Sequence, residues 1–249
     1  MTEFLTILKL EILKIVRQPI TVFFALVFPP SWLVLQGNMY GNTPSNLFDG
    51  VGTIDFMFGA LVFLVILVNG LSNLPLLLSK NIENKIYKRY AVSPMKKSAY
   101  LLAIFTANII LVLVSSALMV VTARLMYSNF VISPDWFWFI VFTILSASGV
   151  CALGVIIASI VPNFSSVLSV AFLIYFAGLF FSGASVPLPV LPSFLQKQAD
   201  YNIFAFMVKN LQEIWIPTYQ INVFYLIASI SFSVLMILLS IKLFKWEKM

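Results

Sequence analysis

The chain is 249 residues long, 61% hydrophobic and 10% charged, with fifteen Lys and Arg against nine Asp and Glu for a net charge of +6. A soluble domain is about half apolar and about a quarter charged, and one of this size has too little interior to hide so much apolar surface. With no histidine and one cysteine, Cys151, the sequence excludes a Ser-His-Asp or Cys-His triad, a histidine metal site and an intrachain disulfide.

Residues 1–19 come first. Phe4, Leu8, Ile12 and Ile15 recur at helical spacing, widened by Leu5 and Val16, with Lys9, Lys14 and Arg17 largely on the other side. That pattern predicts a basic amphipathic helix in the cytoplasmic membrane interface. No cleavable signal peptide is read in it. Six stretches then supply the roughly 20 apolar residues that a helix needs to cross a hydrocarbon core of about 30 Å: 20–37, 56–78, 99–123, 136–160, 164–186 and 220–243. They are apolar on all faces, so helices rather than a barrel are expected. Pro29 and Pro30 fall inside the first and should kink it, freeing carbonyls. In the fourth, Ala147 with Cys151, Ser148 with Ala152 and Gly154 with Ala158 are four apart, which permits close helix approach.

Two connections break the pattern. Residues 79–98, between the second and third spans, read as a short cytoplasmic helix ended by Pro94, with Ser93 as N-cap of the third span. Residues 187–217 open with Pro187, Pro189 and Pro192. They continue with Phe194, Phe204, Met207, Leu211 and Trp215, too apolar for a free loop and too broken for a span. Re-entrant or interfacial helices on the outer side are expected. The chain is therefore read as one membrane domain over 1–249, in segments 1–19, 20–78, 79–98, 99–186, 187–217 and 220–243.

Twelve Lys and Arg lie in the N-terminal segment, the 79–98 connection and the C-terminal tail, against three on the other side: Arg124, Lys197 and Lys209. The positive-inside rule then puts both termini in the cytoplasm of a multi-pass protein of the cell membrane, bacterial in type. Asp55 and Arg124 fall at outer ends of spans and are expected to reach the headgroups. No charged residue is placed near a midplane, which argues against a proton-coupled carrier. The sequence has no G-x-x-x-x-G-K-[ST] phosphate loop. Uphill transport would need energy from another polypeptide.

Uncharged polar residues do enter the spans. Asn69, Ser72 and Asn73 are three and four apart and share a helical face. Asn108, Ser115 and Ser116 lie in the third span, and Ser165, Ser166, Ser169, Tyr175 and Ser182 in the fifth. They read either as interhelical hydrogen-bonding groups or as a polar track for a substrate. The candidate path comprises Asn69, Ser72, Asn73, Tyr175 and Ser182.

This layout resembles a permease of the ATP-binding-cassette (ABC) transporters of type 2, the drug and polysaccharide exporter class. The resemblance covers essentially the whole chain and is most specific over Lys80-Asn81-Ile82-Glu83-Asn84-Lys85-Ile86-Tyr87-Lys88-Arg89-Tyr90-Ala91-Val92-Ser93-Pro94. Many such permeases carry an acidic segment there, a Gly-Thr pair, an apolar pair and Ser/Thr-Pro. Glu83 and Ser93-Pro94 match, Lys85-Ile86 stands where Gly-Thr is usual, and Tyr90-Ala91 replaces the leucines. Pro189-Val190-Leu191-Pro192-Ser193-Phe194-Leu195-Gln196 is similar to the start of the family's outer re-entrant helices, while Asn202-Ile203 lacks the proline often found there.

The resemblance implies ATP-driven alternating access. It implies a separate nucleotide-binding ATPase in two copies, carrying ATP and Mg, and a second permease copy or close homologue. This chain itself would bind no cofactor, metal or nucleic acid and would not be an enzyme. Glu83, Tyr87, Lys88, Tyr90, Ser93 and Pro94 would couple to the ATPase. The substrate would run near the first, second and fifth spans. The apolar interior suits a hydrophobic or amphipathic small molecule moved outward: a drug, peptide antibiotic or lipid. A lipid-linked glycan exporter and a non-transporting scaffold or immunity protein are the alternatives.

Overall fold

Helices satisfy their own backbone in hydrocarbon, and the computed structural model is built from them. It describes residues 2–44, 48, 50–86, 96–216 and 220–244. Helix α1 spans Thr2–Val16. Among the described residues, six helices are long and apolar enough to cross a membrane: α2 (Pro19–Tyr40), α3 (Thr53–Glu83), α4 (Lys97–Met126), α5 (Trp136–Ile160), α6 (Phe164–Phe181) and α9 (Val223–Leu243). Between α6 and α9 come a short 3-10 turn, Leu188–Val190, and two short helices, α7 (Ser193–Ala199) and α8 (Ile203–Trp215).

Helix α3 is the axis of the molecule. Every residue from 53 to 71 is buried, with α2, α4, α5, α6 and α8 packed around it. Helix α9 lies outside, on α5 and α8, and α1 lies along α4. The glycines of α3 set how near the neighbours come. A Cβ on Gly59 would fall 2.7 Å from the backbone of α8 at Leu211 and Gln212. A Cβ on Gly154 of α5 would fall 2.1 Å from the carbonyl oxygen of Gly70. Close backbone approach of this kind is what small residues permit between helices in a membrane, where no hydrophobic drive pushes apolar faces together.

Both proline-bearing spans widen just before the proline. Helix α2 carries a π turn at Phe23–Val27, ahead of Pro29 and Pro30. Helix α3 carries one at Val68–Asn73, ahead of Pro75. A helical proline has no N–H and its ring collides with the carbonyl four residues back. Those carbonyls belong to Ala25, Leu26 and Leu71, all inside the widened turns, so the i→i+5 pattern removes the collision. The expected disturbance at Pro29 and Pro30 is thus a widened turn. Ser31 Oγ donates to Val27 O at 2.8 Å, using one of the local carbonyls.

The two ends of the bundle differ. At one end lie α1, the end of α3 and the end of α9. Tyr100 of α4 stacks there on Phe244, and Ile7, Leu78 and Leu101 join the same cluster. The other end is held by long-range hydrogen bonds. Asp55 accepts from Asn42 Nδ2 at 3.2 Å and from Val131 N–H at 2.9 Å. Tyr127 O–H donates to Val34 O, Gln36 Nε2 to Ser185 O, Gln212 Nε2 to Phe56 O and Ser133 Oγ to Ile214 O, all at 3.0–3.1 Å. Trp215 stacks on Phe58 at 4.2 Å and meets Phe139 edge-on at 4.9 Å. Glu213 accepts from the Asn222 N–H at 2.8 Å; burial pushes its carboxyl above the usual range, against that bond and the charge of Lys209.

Several expectations change here. Asp55 is buried and bonded to two loops instead of reaching the headgroups. Arg124, by contrast, is exposed at the end of α4, with Nη1 donating to Phe130 O at 2.8 Å. The fifth span stops at Phe181, not 186, because Ser182 and Gly183 turn the chain: Gly183 has φ +80°, and Ser182 Oγ accepts from the Ala184 N–H. The second span runs on through Glu83, so residues 79–83 extend it without forming a separate helix. At 31 residues it is about 46 Å long, beyond a hydrocarbon core of about 30 Å. Helix α4 begins at Lys97 with Lys96 in the cap position, so Ser93 does not cap it. In place of a proline at the start of α8, Asn202 caps the helix, its side chain accepting from Phe204 N–H at 2.9 Å.

Gly154→Ala is expected to cost about 1–3 kcal/mol by forcing a methyl against backbone. Gly178→Ala, whose Cβ would lie 3.1 Å from the Phe204 ring, should be better tolerated. Thermal unfolding of the two variants in detergent measures the difference. Equal losses would show that the α3–α5 contact does not limit packing.

Candidate functional site: the coupling end and the polar interior

The candidate residues fall in two regions. The first is the end of α3. Its last turn closes with Asn84 N–H on Lys80 O at 3.0 Å and Lys85 N–H on Ile82 O at 2.9 Å. Lys85 has φ +54°, the left-handed conformation that follows many helix ends and that glycine adopts without strain. This is the position where the resembled permeases carry the glycine of Gly-Thr. The lysine keeps the turn and bears its steric cost.

One residue before the turn, Glu83 is exposed, and its Oε1 accepts from the Phe164 N–H at 3.2 Å. Phe164 opens α6, so this carboxylate caps a second helix. Asn163 caps the same helix through the Ser166 N–H at 2.8 Å. A negative charge at a helix N-terminus is favoured by the unpaired N–H groups and the helix dipole. Glu83 therefore ties the end of the central helix to the start of α6. Tyr87, Lys88, Tyr90, Ser93 and Pro94 lie outside the described residues.

The second region is the polar interior. Asn69 is fully buried, donates from Nδ2 to Val65 O at 2.9 Å and accepts from Asn73 Nδ2 at 3.4 Å. Asn69, Ser72 and Asn73 all sit in the π turn, and the Asn73–Asn69 bond keeps those two on one face. Asn73 also meets Asn108 of α4 around a recess of about 20 Å³, which Glu11, Gln18 and Thr21 line as well. That is room for one water. Tyr175 and Ser182 are not part of this group. Tyr175 packs its ring edge-on against Phe172 and Phe176, and Ser182 caps the turn after α6.

Sequence reasoning missed Glu11. It is 3% exposed and accepts from Lys14 Nζ at 2.6 Å. The buried side of α1 runs through Ile7, Glu11 and Ile15, while Leu5, Leu10, Leu13 and Val16 are exposed. The signal was present: Glu11 is four residues from both isoleucines, so it continues their stripe. On the far side of the molecule, a recess of about 730 Å³ lies between α6 and the α7–α8 pair, lined by Gly178, Phe181, Phe194, Tyr201 and Phe204 among others. Among the described residues, no group of three Asp, Glu or Cys is placed to hold a metal ion.

Six long apolar helices among the described residues, one of them the buried axis for the others, define a multi-pass helical membrane protein. Comparison with known proteins narrows the class. The ABC-2 type transporter family matches residues 2–216, and the chain belongs to that family. It is 24% identical over 209 residues to the transport permease ycf38 of Porphyra purpurea, covering 83% of this chain and 71% of that protein. It is 23% identical over 207 residues to the protein of the same name from Pyropia yezoensis, covering 82% and 70%. The Cyanophora paradoxa protein is 23% identical over 221 residues, covering 84% and 73%.

Lys85→Gly should raise stability by up to about 1 kcal/mol, because the strain of a side chain in the left-handed region is removed. The midpoint of thermal unfolding in detergent measures it. A drop would mean that the lysine side chain makes contacts worth more than the strain.

Proposed function

We propose that the chain is the membrane subunit of an ATP-binding-cassette exporter, worked by a separate ATPase that binds ATP and Mg. Two copies of that ATPase and a second permease copy, or a close homologue, complete the transporter. Both termini and the end bearing Glu83 face the cytoplasm, α1 lies in the membrane interface, and α7 and α8 dip into the bilayer from the outer side. The substrate is a hydrophobic or amphipathic small molecule that passes near α2, α3 and α6, with Asn69, Ser72, Asn73, Tyr175 and Ser182 along its route.

The observation that carries this reading is the bond from Glu83 to α6. A push delivered just beyond Glu83 reaches two spans at once: directly the central helix, and through the carboxylate the first turn of α6. Neither helix can take up the push within its own length as a compressible loop would. Families of this kind are driven from the cytoplasmic end, and this chain offers there a basic surface with an exposed carboxylate. The low charge of the interior favours an amphiphile over a free polyanion. The apolar side chains exposed on α6, such as Leu173, Phe176 and Phe180, and on α2, such as Phe23 and Val27, support contact with lipid, substrate or a second copy.

The test is co-purification with an ATPase bearing a phosphate loop, followed by assay of ATP hydrolysis in lipid with candidate amphiphiles. Deleting residues 80–93 should abolish capture of the ATPase. Glu83→Lys should lower amphiphile-stimulated hydrolysis strongly, since it places a cation at a helix N-terminus and against the docking surface. Glu83→Gln keeps an acceptor for the Phe164 N–H and separates the two roles: the helix cap survives, and a loss of hydrolysis then reports the charge. Solute accumulation by the chain alone in sealed vesicles without nucleotide would overturn the proposal.

A further inference from the structure

The π turn of α2, Phe23–Val27, and that of α3, Val68–Asn73, touch each other. The two spans are thus widened side by side, at one level of the bundle. Both turns run into proline, and tracing the backbone donors shows the effect. Gly70 O would take the Leu74 N–H in an α turn or the Pro75 N–H in a π turn. The Leu74 N–H goes to Asn69 O, and proline has none. Phe24 O is in the same position, because the Phe28 N–H goes to Phe23 O and residue 29 is proline. Ala25 O meets Pro29 at one spacing and Pro30 at the other. The carbonyls of Phe24, Ala25 and Gly70 therefore lack a donor within their own helix. The side-chain bonds nearby go elsewhere: Ser31 Oγ to Val27 O and Asn69 Nδ2 to Val65 O.

Gly70 and Ala25 are buried, and a carbonyl without a donor is costly in hydrocarbon. A helix resists bending because a bend stretches its own ladder of bonds. Where rungs are already absent, a bend breaks nothing more, which is why kinks gather at prolines and π turns. The surroundings leave room for one. Gly70 O rests on Gly154 of α5, which has no side chain to hold it. On another side, the recess of about 20 Å³ lies between Gln18 and Thr21, at the start of α2, and Asn73, the last residue of the π turn in α3.

We infer that the two π turns form one hinge, on which the Ile20 end of α2 and the Lys80 end of α3 swing together against the rest of the bundle. The bend tilts the end of α3 without shortening it, so a push at Glu83 still reaches α6. The hinge needs only the helices described. Its use in transport rests on the reading above, and the test contains no ATPase, so the two fail separately.

The experiment is hydrogen–deuterium exchange of the full chain in phosphatidylcholine nanodiscs, read by mass spectrometry. Residues 20–31 and 68–79 should exchange faster than 144–158 of α5, a stretch with neither proline nor π turn. Pro75→Ala restores an N–H within reach of Gly70 O or Leu71 O and should slow exchange over 68–79 about tenfold, the worth of one hydrogen bond. Because the turns move as one, 23–28 should slow with it, while α5 and α9 stay unchanged. Pro30→Ala is the reciprocal variant and should slow 68–79. Thermal unfolding identifies which variants fold, and either one decides. Nitroxides on Ile20→Cys, Lys80→Cys and Ile241→Cys, taken in pairs, follow the swing by electron paramagnetic resonance. All three positions are exposed, and Cys151 is buried and stays unlabelled. The Ile20–Lys80 distance should be narrow, and the distances from either to Ile241 of α9 broad until Pro75→Ala narrows them. Slowing confined to the turn that carries the substitution, or an Ile20–Lys80 distance as broad as the other two, would overturn the proposal. So would exchange at both turns as slow as in α5.

Discussion

The structure depends on one helix being surrounded on every side. In a bilayer, lipid is as apolar as leucine, so burial of α3 gains little from hydrophobicity alone. What holds neighbours against it is contact at short range, and short range needs small residues. Gly59 admits α8, and Gly70 with Gly154 admits α5. The outer helices follow the same rule: a Cβ on Gly149 of α5 would fall 2.5 Å from Ser233 Oγ of α9. Large side chains then fill the spaces between backbones, as Phe58, Phe139 and Trp215 do where α3, α5 and α8 meet.

Polar groups divide between two tasks. At the loop-rich end they join segments far apart in sequence, as Asp55 joins residues 42 and 131. Charge is tolerated there because both acceptor oxygens are used. Within the spans they mostly return to their own helix. Asn69, Asn108, Ser116, Ser148 and Ser159 each donate to the carbonyl four residues back. Such bonds satisfy the group without tying one span to another, whereas Asn210 Nδ2 of α8 donates across to Ser229 Oγ of α9 at 3.0 Å. At the opposite end, Glu83 on Phe164 is a bond between spans.

Much of this was legible in the sequence, and the parts that were not have physical causes. Apolar run length gave all six spans, and for α5 the bounds 136–160 agree with the helix found. The interrupted segment after the fifth span does form short helices. Asp55 reads as a charge free to reach the headgroups because a sequence shows position along a span but not the loop that folds back over it; the Val131 N–H is 76 residues from Asp55. Glu11 was passed over because an acid among lysines reads as surface, although its spacing from Ile7 and Ile15 says otherwise. The segment that carries the closest family likeness was legible only in part. Glu83 and Lys85 show what the motif does to the chain: one residue caps a neighbouring helix, and the other takes the turn that glycine usually serves.

The widened turn at Val68–Asn73 has a geometric consequence for that cap. Each residue advances an α-helix by about 100°, and a π turn accommodates one residue more than an α turn. Everything downstream of it is therefore rotated by about a quarter of a revolution relative to an uninterrupted α3. Glu83 lies downstream and meets α6 in that rotated phase. Proline 75 thus does more than loosen a span: by shifting the angular register of the last turns, it aims the carboxylate at its target.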